Sequence, residues 1–172
     1  MAFSLPADLA TNWADNVGMI ENAEYLNAVG AMNNSIKAAI NSFVNGAATA
    51  TVATAETTGS TSFADLTTTT DSVTATIGNS GMALVIVQSQ SSNTAANSNF
   101  TGFAVSGATT VAASDTFAIQ ATGHAASIQM QTGTTFLVTG LTAGSNTFKM
   151  KYRTSAGTAT FANRRIVVIP FF

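Results

Sequence analysis

Asn146-Thr147-Phe148-Lys149-Met150-Lys151-Tyr152-Arg153 is the stretch on which the fold turns. Phe148, Met150 and Tyr152 alternate with Lys149, Lys151 and Arg153, and a period of two belongs to a β-strand with one dry and one wet face. Met82-Ala83-Leu84-Val85-Ile86-Val87 and Ile166-Val167-Val168-Ile169 are instead apolar at every position, as expected of strands covered on both sides. Working outward, strands are predicted over 49–54, 62–67, 73–77, 82–90, 100–106, 115–121, 125–131, 134–139, 146–153, 158–162 and 165–171, of which about eight to ten should form. Gly78-Asn79-Ser80-Gly81, the polar run from Ser91 to Asn99, Gly107 and Ala143-Gly144-Ser145-Asn146 punctuate them. Short strands at this spacing specify a mainly β protein, an antiparallel, jelly-roll-like β-sandwich.

The apolar period changes once, near Asn45-Gly46. Upstream, Met19, Leu26, Val29, Ile36, Ile40 and Phe43 recur three and four apart, the signature of an amphipathic helix. Gly46 is placed to end that helix at a left-handed position. The helix should hold about 27 residues, roughly 40 Å at 1.5 Å per residue. Two segments follow: 1–46, an N-terminal arm and helix for attachment or trimerisation, and 47–172, the sandwich.

Read as heptads, Met19, Leu26, Asn33 and Ile40 occupy a positions, and Asn22, Val29, Ile36 and Phe43 occupy d positions. Isoleucine at both sites leans towards trimers, and a lone Asn33 at a would fix register. Gly30 in mid-helix weakens an independent coil by about 1 kcal/mol against alanine. Three outcomes stay open: self-trimerisation, docking on a partner surface, or packing within the chain. Ahead of the helix, Phe3, Leu5 and Trp13 are large side chains of the kind that anchor interfaces. They form either an arm that clips onto another protein or a cap over the base of the sandwich. At the other end Phe171 and Phe172 should be buried, near a subunit axis, since an exposed aromatic pair invites aggregation.

Composition narrows function. Only 8% of residues are charged, against about a quarter in ordinary domains, so threonine, serine, asparagine, alanine and glycine must build the surface. All eight acids lie at or before Asp115, accompanied by the single cation Lys37. The remaining cations, Lys149, Lys151, Arg153, Arg164 and Arg165, follow without an acid among them. No stacking platform or phosphate loop accompanies these cations, so outward strand positions paired with distant acids are expected, and no nucleic acid. The absence of cysteine removes thiol catalysis, disulfides and Cys-based metal sites. His124 stands alone in a Gly-His-Ala turn, without a nucleophile elbow or a second metal-ligand histidine. Asp65 and Asp71 flank a threonine run, and Glu21 and Glu24 suit a helix start. A non-enzymatic protein is expected, with no cofactor and no metal. No basic leader opens the sequence, and no apolar run approaches the twenty or so residues of a membrane span.

Trp13-Ala14-Asp15-Asn16 followed by Asn22-Ala23-Glu24-Tyr25-Leu26-Asn27 resembles the N-terminal segment of many appendage proteins of tailed bacteriophages. Ser106-Gly107-Ala108-Thr109-Thr110, Ala113-Ser114-Asp115 and the run from Leu137 to Pro170, with Gly140-Leu141-Thr142-Ala143-Gly144 and Phe161-Ala162-Asn163-Arg164, are similar to the β module of phage head-fibre, decoration and minor tail proteins, those of actinobacterial phages especially. Asn16 departs from the glycine such openings often carry. The resemblance implies a virion location, assembly in the host cytoplasm and a homotrimer. It offers no catalytic residue. With no repeats to build a shaft, a compact decoration or head-fibre protein bound to the major capsid protein or another virion protein is expected. The alternative is a tail-tip receptor-binding protein or a carbohydrate-binding adhesin module. Its host-surface glycan would meet the polar loop 91–99.

Overall fold

The computed structural model describes residues 23–122 and 126–172. Phe3, Leu5, Trp13, Met19 and His124 lie outside them. The described chain divides into two compact units that part between Gly46 and Ala47.

In the first unit, helix α1 runs Ala23–Asn45. Its 23 residues span roughly 35 Å, with Glu24 in the first turn, where a carboxylate complements the helix dipole. The helix stops before Gly46 as expected, but Gly46 is not left-handed; the described glycines with positive φ are 81, 107, 140, 144 and 157.

The second unit holds nine strands: β1 (Ala48–Val52), β2 (Glu56–Thr58), β3 (Ser72–Ile77), β4 (Ala83–Asn93), β5 (Asn99–Gly107), β6 (Ala118–Ala121), β7 (Met130–Val138), β8 (Gly144–Thr154) and β9 (Ala159–Pro170). Sheet A has the order β1-β9-β4-β7, with β2 also on β9, and sheet B the order β3-β8-β5-β6. Every pairing is antiparallel. With three-residue β2 set aside, the eight long strands run first-eighth-third-sixth and second-seventh-fourth-fifth, which is the double Greek key of a jelly roll. The sandwich expected from the sequence is therefore the fold.

Phe148, Met150 and Tyr152 of β8 point inward and are fully buried, as their alternation predicted. They meet Val85 and Val87 of β4 and Phe161, Ile166 and Val168 of β9 in one apolar core. Phe103 lies at its centre, with ring centroids 5.5 Å from Phe117, 5.9 Å from Phe136 and 6.3 Å from Phe148.

Several sequence expectations are corrected. The segment 62–67 is no strand: only Ala64 bridges, to Tyr152. Of the predicted strand 125–131 only Met130 and Gln131 are strand, running on through Gly133 into 134–138 as β7, while 126–129 form no strand and residue 125 lies outside the described residues; 158–162 and 165–171 merge into the continuous β9, because Asn163-Arg164 does not turn the chain. Asp115–Phe117 is a 3-10 turn leading into β6. The supposed loop 91–99 shrinks to the five residues between β4 and β5, and Asn93 and Asn99 are buried. Asn93 Nδ2 donates to Asn99 Oδ1 at 2.8 Å, to Thr154 Oγ1 at 2.9 Å and to Ala156 O at 3.2 Å. A Cβ at Gly157, where φ is +70°, would stand 2.7 Å from Asn93 Oδ1.

The largest correction concerns Arg164, expected outside and found fully buried. β9 bulges opposite Gln88 and Gln90 of β4, where Asn163 takes φ 47° and donates to Gln90 Oε1 at 2.9 Å. Before the bulge Ala159 and Phe161 face the core; after it Arg164, Ile166 and Val168 do. One extra residue has exchanged the faces.

Buried there, the guanidinium needs partners. Nη2 donates to Glu56 Oε2 at 2.8 Å and Nη1 to Asp71 Oδ2 at 3.2 Å. Tyr152 Oη donates to the same Asp71 oxygen at 2.6 Å. Glu56 Oε1 accepts from the Thr68 N–H at 2.9 Å and from its hydroxyl at 2.6 Å. The long connection between β2 and β3 is thus tied to both sheets. The Thr68 hydroxyl, helped against the opposing push of burial by the Thr68 N–H and Arg164, holds Glu56 below the usual carboxylate range. Burial pushes Asp71 up, and the Tyr152 hydrogen bond and Arg164 charge offset this only in part. Burial and the Asp71 charge also raise Tyr152, which stays a donor.

Arg164→Ala would strand two carboxylates and is expected to lower the unfolding free energy by about 3–5 kcal/mol, measured by urea titration; a loss of under about 1 kcal/mol would mean that the carboxylates are not held by this charge. Acid acts on the two carboxylates with opposite signs. Glu56 contributes stability above its ordinary value of 4.5, lost as pH falls through its lowered one. Asp71, raised above 3.8, is protonated first in the folded state, so acidification through its raised value relieves a penalty. The thermal midpoint should hold or rise from neutral to about pH 5 and fall below about pH 4. Asp71→Asn should remove the rise, and a midpoint that declines steadily from neutrality in the parent chain would contradict the assignment.

Candidate functional site

The cation row that fixed the strand period also floors a polar concavity. On the outer face of sheet B, Phe100, Gly102 and Ala104 of β5 stand in register with Arg153, Lys151 and Lys149 of β8. Two segments rise beside this floor. The 60–65 segment is hung on β8, with Ala64 N–H to Tyr152 O at 2.9 Å, Tyr152 N–H to Ala64 O at 3.0 Å and Thr154 N–H to Ser60 O at 2.8 Å. The 111–115 segment is hung on β5 by a mutual pair between Val105 and Val111 at 2.9 and 3.0 Å. Backbone bonds at both roots make the walls part of the sheet. Between them lies an open-sided groove of about 630 Å³, lined by Thr61, Ser62, Phe63, Ala104, Ala112, Ala113, Ser114, Asp115, Lys151 and Arg153.

Its charged groups are locked. Arg153 donates from Nε and Nη2 to Asp115 Oδ1 at 3.1 and 2.7 Å, and from Nη2 to Oδ2 at 2.7 Å. Its guanidinium carbon lies 3.4 Å from the Phe100 ring centroid and 5.3 Å from that of Phe63, so cation–π attraction holds it flat on the sheet. Lys149 and Lys151 reach the two oxygens of Asp65 at 2.9 and 2.8 Å. Burial pushes Asp65 up, but those two lysines outweigh it and hold the carboxyl below its ordinary range. Gly102 is why Phe63 can lie down. A Cβ there would stand 3.3 Å from Phe63 Cε1, 3.2 Å from Ala118 Cβ and 3.0 Å from Phe117 O.

The arrangement has no nucleophile paired with a base. Among the described residues no three His, Cys, Asp or Glu converge on a metal site. Its hydroxyls, ion pairs and apolar patches offer groups for binding.

The residues singled out from the sequence lie elsewhere. Leu26 and Val29 on α1 are half-buried, while Asn33, Ile36, Ile40 and Phe43 are exposed, Ile36 by 50% and Ile40 by 42%. The tail is tied down, with Phe171 N–H on Met82 O at 2.9 Å and Ser80 Oγ on Phe171 O at 2.8 Å, yet Phe172 is 44% exposed rather than buried in the single chain. Of the groove, the sequence marked Lys151 and Arg153; nothing in it marked the two walls.

No protein-family profile matches the sequence, and no curated protein matches it. Among solved structures, Eiger TNF from S. frugiperda superposes with a TM-score of 0.49 at 11% identity, over 73% of this chain and 92% of that one. A protein of infectious bursal disease virus, Gx strain, superposes with a TM-score of 0.44 at 17% identity, over 72% of this chain and 32% of that one. The present chain thus spans about a third of the viral protein's length. The jelly-roll assignment rests on the strand order itself.

Gly102→Val should force Phe63 off the sheet and cost about 1–3 kcal/mol by overpacking. Urea unfolding followed by circular dichroism measures it, and an unchanged midpoint would show that Phe63 does not depend on the missing Cβ.

Proposed function

We propose that this chain is a non-enzymatic structural subunit of a bacteriophage virion, a capsid decoration or head-fibre protein that works as a homotrimer. The N-terminal segment 1–46 attaches it to the major capsid protein or another virion protein, and the sandwich forms the outward knob. The observation that carries the proposal is the apolar stripe of α1. Tyr25, Met32, Ile36, Ile40 and Phe43 recur at helical spacing and remain exposed, and a stripe of that kind on a surface helix is a contact face. It lies in a unit distinct from the sandwich, as an attachment device should.

Sheet A adds a second apolar surface suited to copies of the same chain. Leu84 stands in register with both Leu137 and Ile169, and Ile86 with Val167, all on the outward side, and Leu137 is 54% exposed. Assembly in the host cytoplasm fits the described residues, where no helix is long and apolar enough to cross a membrane.

Sedimentation of the purified chain at micromolar concentration should give a trimer, and Leu137→Asp together with Ile40→Asp should give a monomer with an unchanged circular dichroism spectrum. Removing residues 1–46 leaves the whole core cluster intact. The 47–172 chain should therefore fold and yet fail to join virions assembled without the native subunit. A parent chain that stays monomeric, or a truncated one that still attaches, would overturn the corresponding half of the proposal.

A further inference from the structure

We infer that the groove on the outer face of sheet B is a binding site for a neutral saccharide. The inference is independent of the virion assignment, since it rests on sheet B alone. Three features of the groove carry it.

The first is rigidity without a ligand. Both walls hang from strand edges by backbone hydrogen bonds, and the floor is held by the Arg153–Asp115 and Lys151–Asp65 pairs. Little ordering remains for a ligand to impose, which is the main cost of weak polar binding. The second is the mixture of surfaces. Half-buried Phe63 together with Ala104, Ala112 and Ala113 offers apolar area, while Thr61, Ser62 and Ser114 offer hydroxyls. A pyranose ring has the matching character, with one C–H face and a rim of hydroxyl groups.

The third feature is a hydrogen-bond acceptor and donor held side by side, Asp115 and Arg153. Asp115, 63% exposed at its side chain, accepts from Arg153 twice at Oδ1 and once at Oδ2, so that Oδ2 keeps a lone pair for a donor from outside. Arg153 spends Nε and Nη2 on Asp115, and Nη1 keeps its two N–H groups for an acceptor. An anion approaching Arg153 meets the Asp115 carboxylate already on the guanidinium. A sugar hydroxyl meets no such repulsion, because it donates to Asp115 while a neighbouring hydroxyl accepts from Nη1 or from Lys151.

The test uses the full chain and a panel of methyl α-glucoside, methyl β-galactoside, methyl α-mannoside and N-acetylglucosamine, with glucuronate and galacturonate as charged counterparts. Saturation-transfer and chemical-shift titrations should detect at least one neutral glycoside at millimolar concentration. Shifts should cluster at Phe63, Ser114 and Asp115. Asp115→Ala should weaken binding by at least about tenfold, while Gln88→Ala on sheet A should leave it unchanged. Ala112→Trp, at an exposed wall position, fills the groove without touching an ion pair and should abolish binding in a chain that melts normally. Absence of binding across the panel at about 50 mM, preference for the uronates, or binding that survives both Asp115→Ala and Ala112→Trp would each overturn the inference. A monomer in sedimentation would leave it standing.

Discussion

A single buried guanidinium sets the architecture of the sandwich. Arg164 reaches the core because β9 carries one extra residue at Asn163, and from there it binds Glu56 of β2 and Asp71 at the head of β3. Those contacts fix the path of the connection 59–71, which would otherwise be a long polar loop between two sheets. Fixing that path places Ala64 on Tyr152 and so raises one wall of the groove on the far side of sheet B. An apolar residue at 164 could fill the same space, and buried ion pairs are often no more stabilising than such a replacement. What the charge supplies is direction: Arg164 Nη1 and Nη2 draw Asp71 and Glu56 to fixed places beside Tyr152, although Nε finds no partner there.

The same economy holds across the second unit. In a chain with 8% charged residues, every acid and base described in 47–172 except Arg165 belongs to an ion pair. Charge is not spread over the surface to keep it wet; serine and threonine do that. The ions are placed where an element needs a fixed position: Glu56 and Asp71 for the β2–β3 connection, Asp65 and Asp115 for the walls of the groove. Exposed pairs of this kind add little stability. Their effect is on geometry, through the bidentate Arg153–Asp115 contact and the stacking of Arg153 on Phe100.

Much of this was legible in residues 137–170. Alternation in β8 identified its inner and outer faces correctly at every position from Phe148 to Arg153, and the apolar run of β4 marked it as central. Reading failed where a tertiary partner overrides a local signal. Arg164 looks like an outward residue in a break between two strands, because the bulge that turns it inward cannot be read before the opposite strand is known. Asn93 and Asn99 look like loop residues because asparagine favours turns, and only their bonding to each other and to Thr154 shows them to be core. The walls of the groove overlap the strands read at 62–67 and 115–121, but there the chain makes only one bridge at Ala64 and a 3-10 turn at 115–117. Asp65 and Asp115 were visible as acids, and the lysines and arginine as cations, but which acid meets which cation is decided by folding over separations of 84 and 38 residues.

The two outer faces of the sandwich divide chemically, and that division constrains how the protein can work. Sheet A presents Leu84, Ile86, Leu137, Val167 and Ile169, with Arg165 as the one cation among them, a surface whose exposure to water is unfavourable and which association would relieve. Sheet B presents ion pairs, hydroxyls and a concavity, which association would waste. A subunit that packed through sheet B would have to desolvate Lys149, Lys151, Arg153, Asp65 and Asp115 at once, at a penalty that apolar contacts on that face are too few to offset. One that packs through sheet A desolvates a single charge, Arg165, with uncharged polar neighbours such as Gln88 and Thr135 beside it. The proposed homotrimer contact and the proposed saccharide groove would therefore fall on opposite sides of one β unit, so that a trimer closed on sheet A would carry three outward grooves, and weak individual contacts with a repeating surface would add by multivalency.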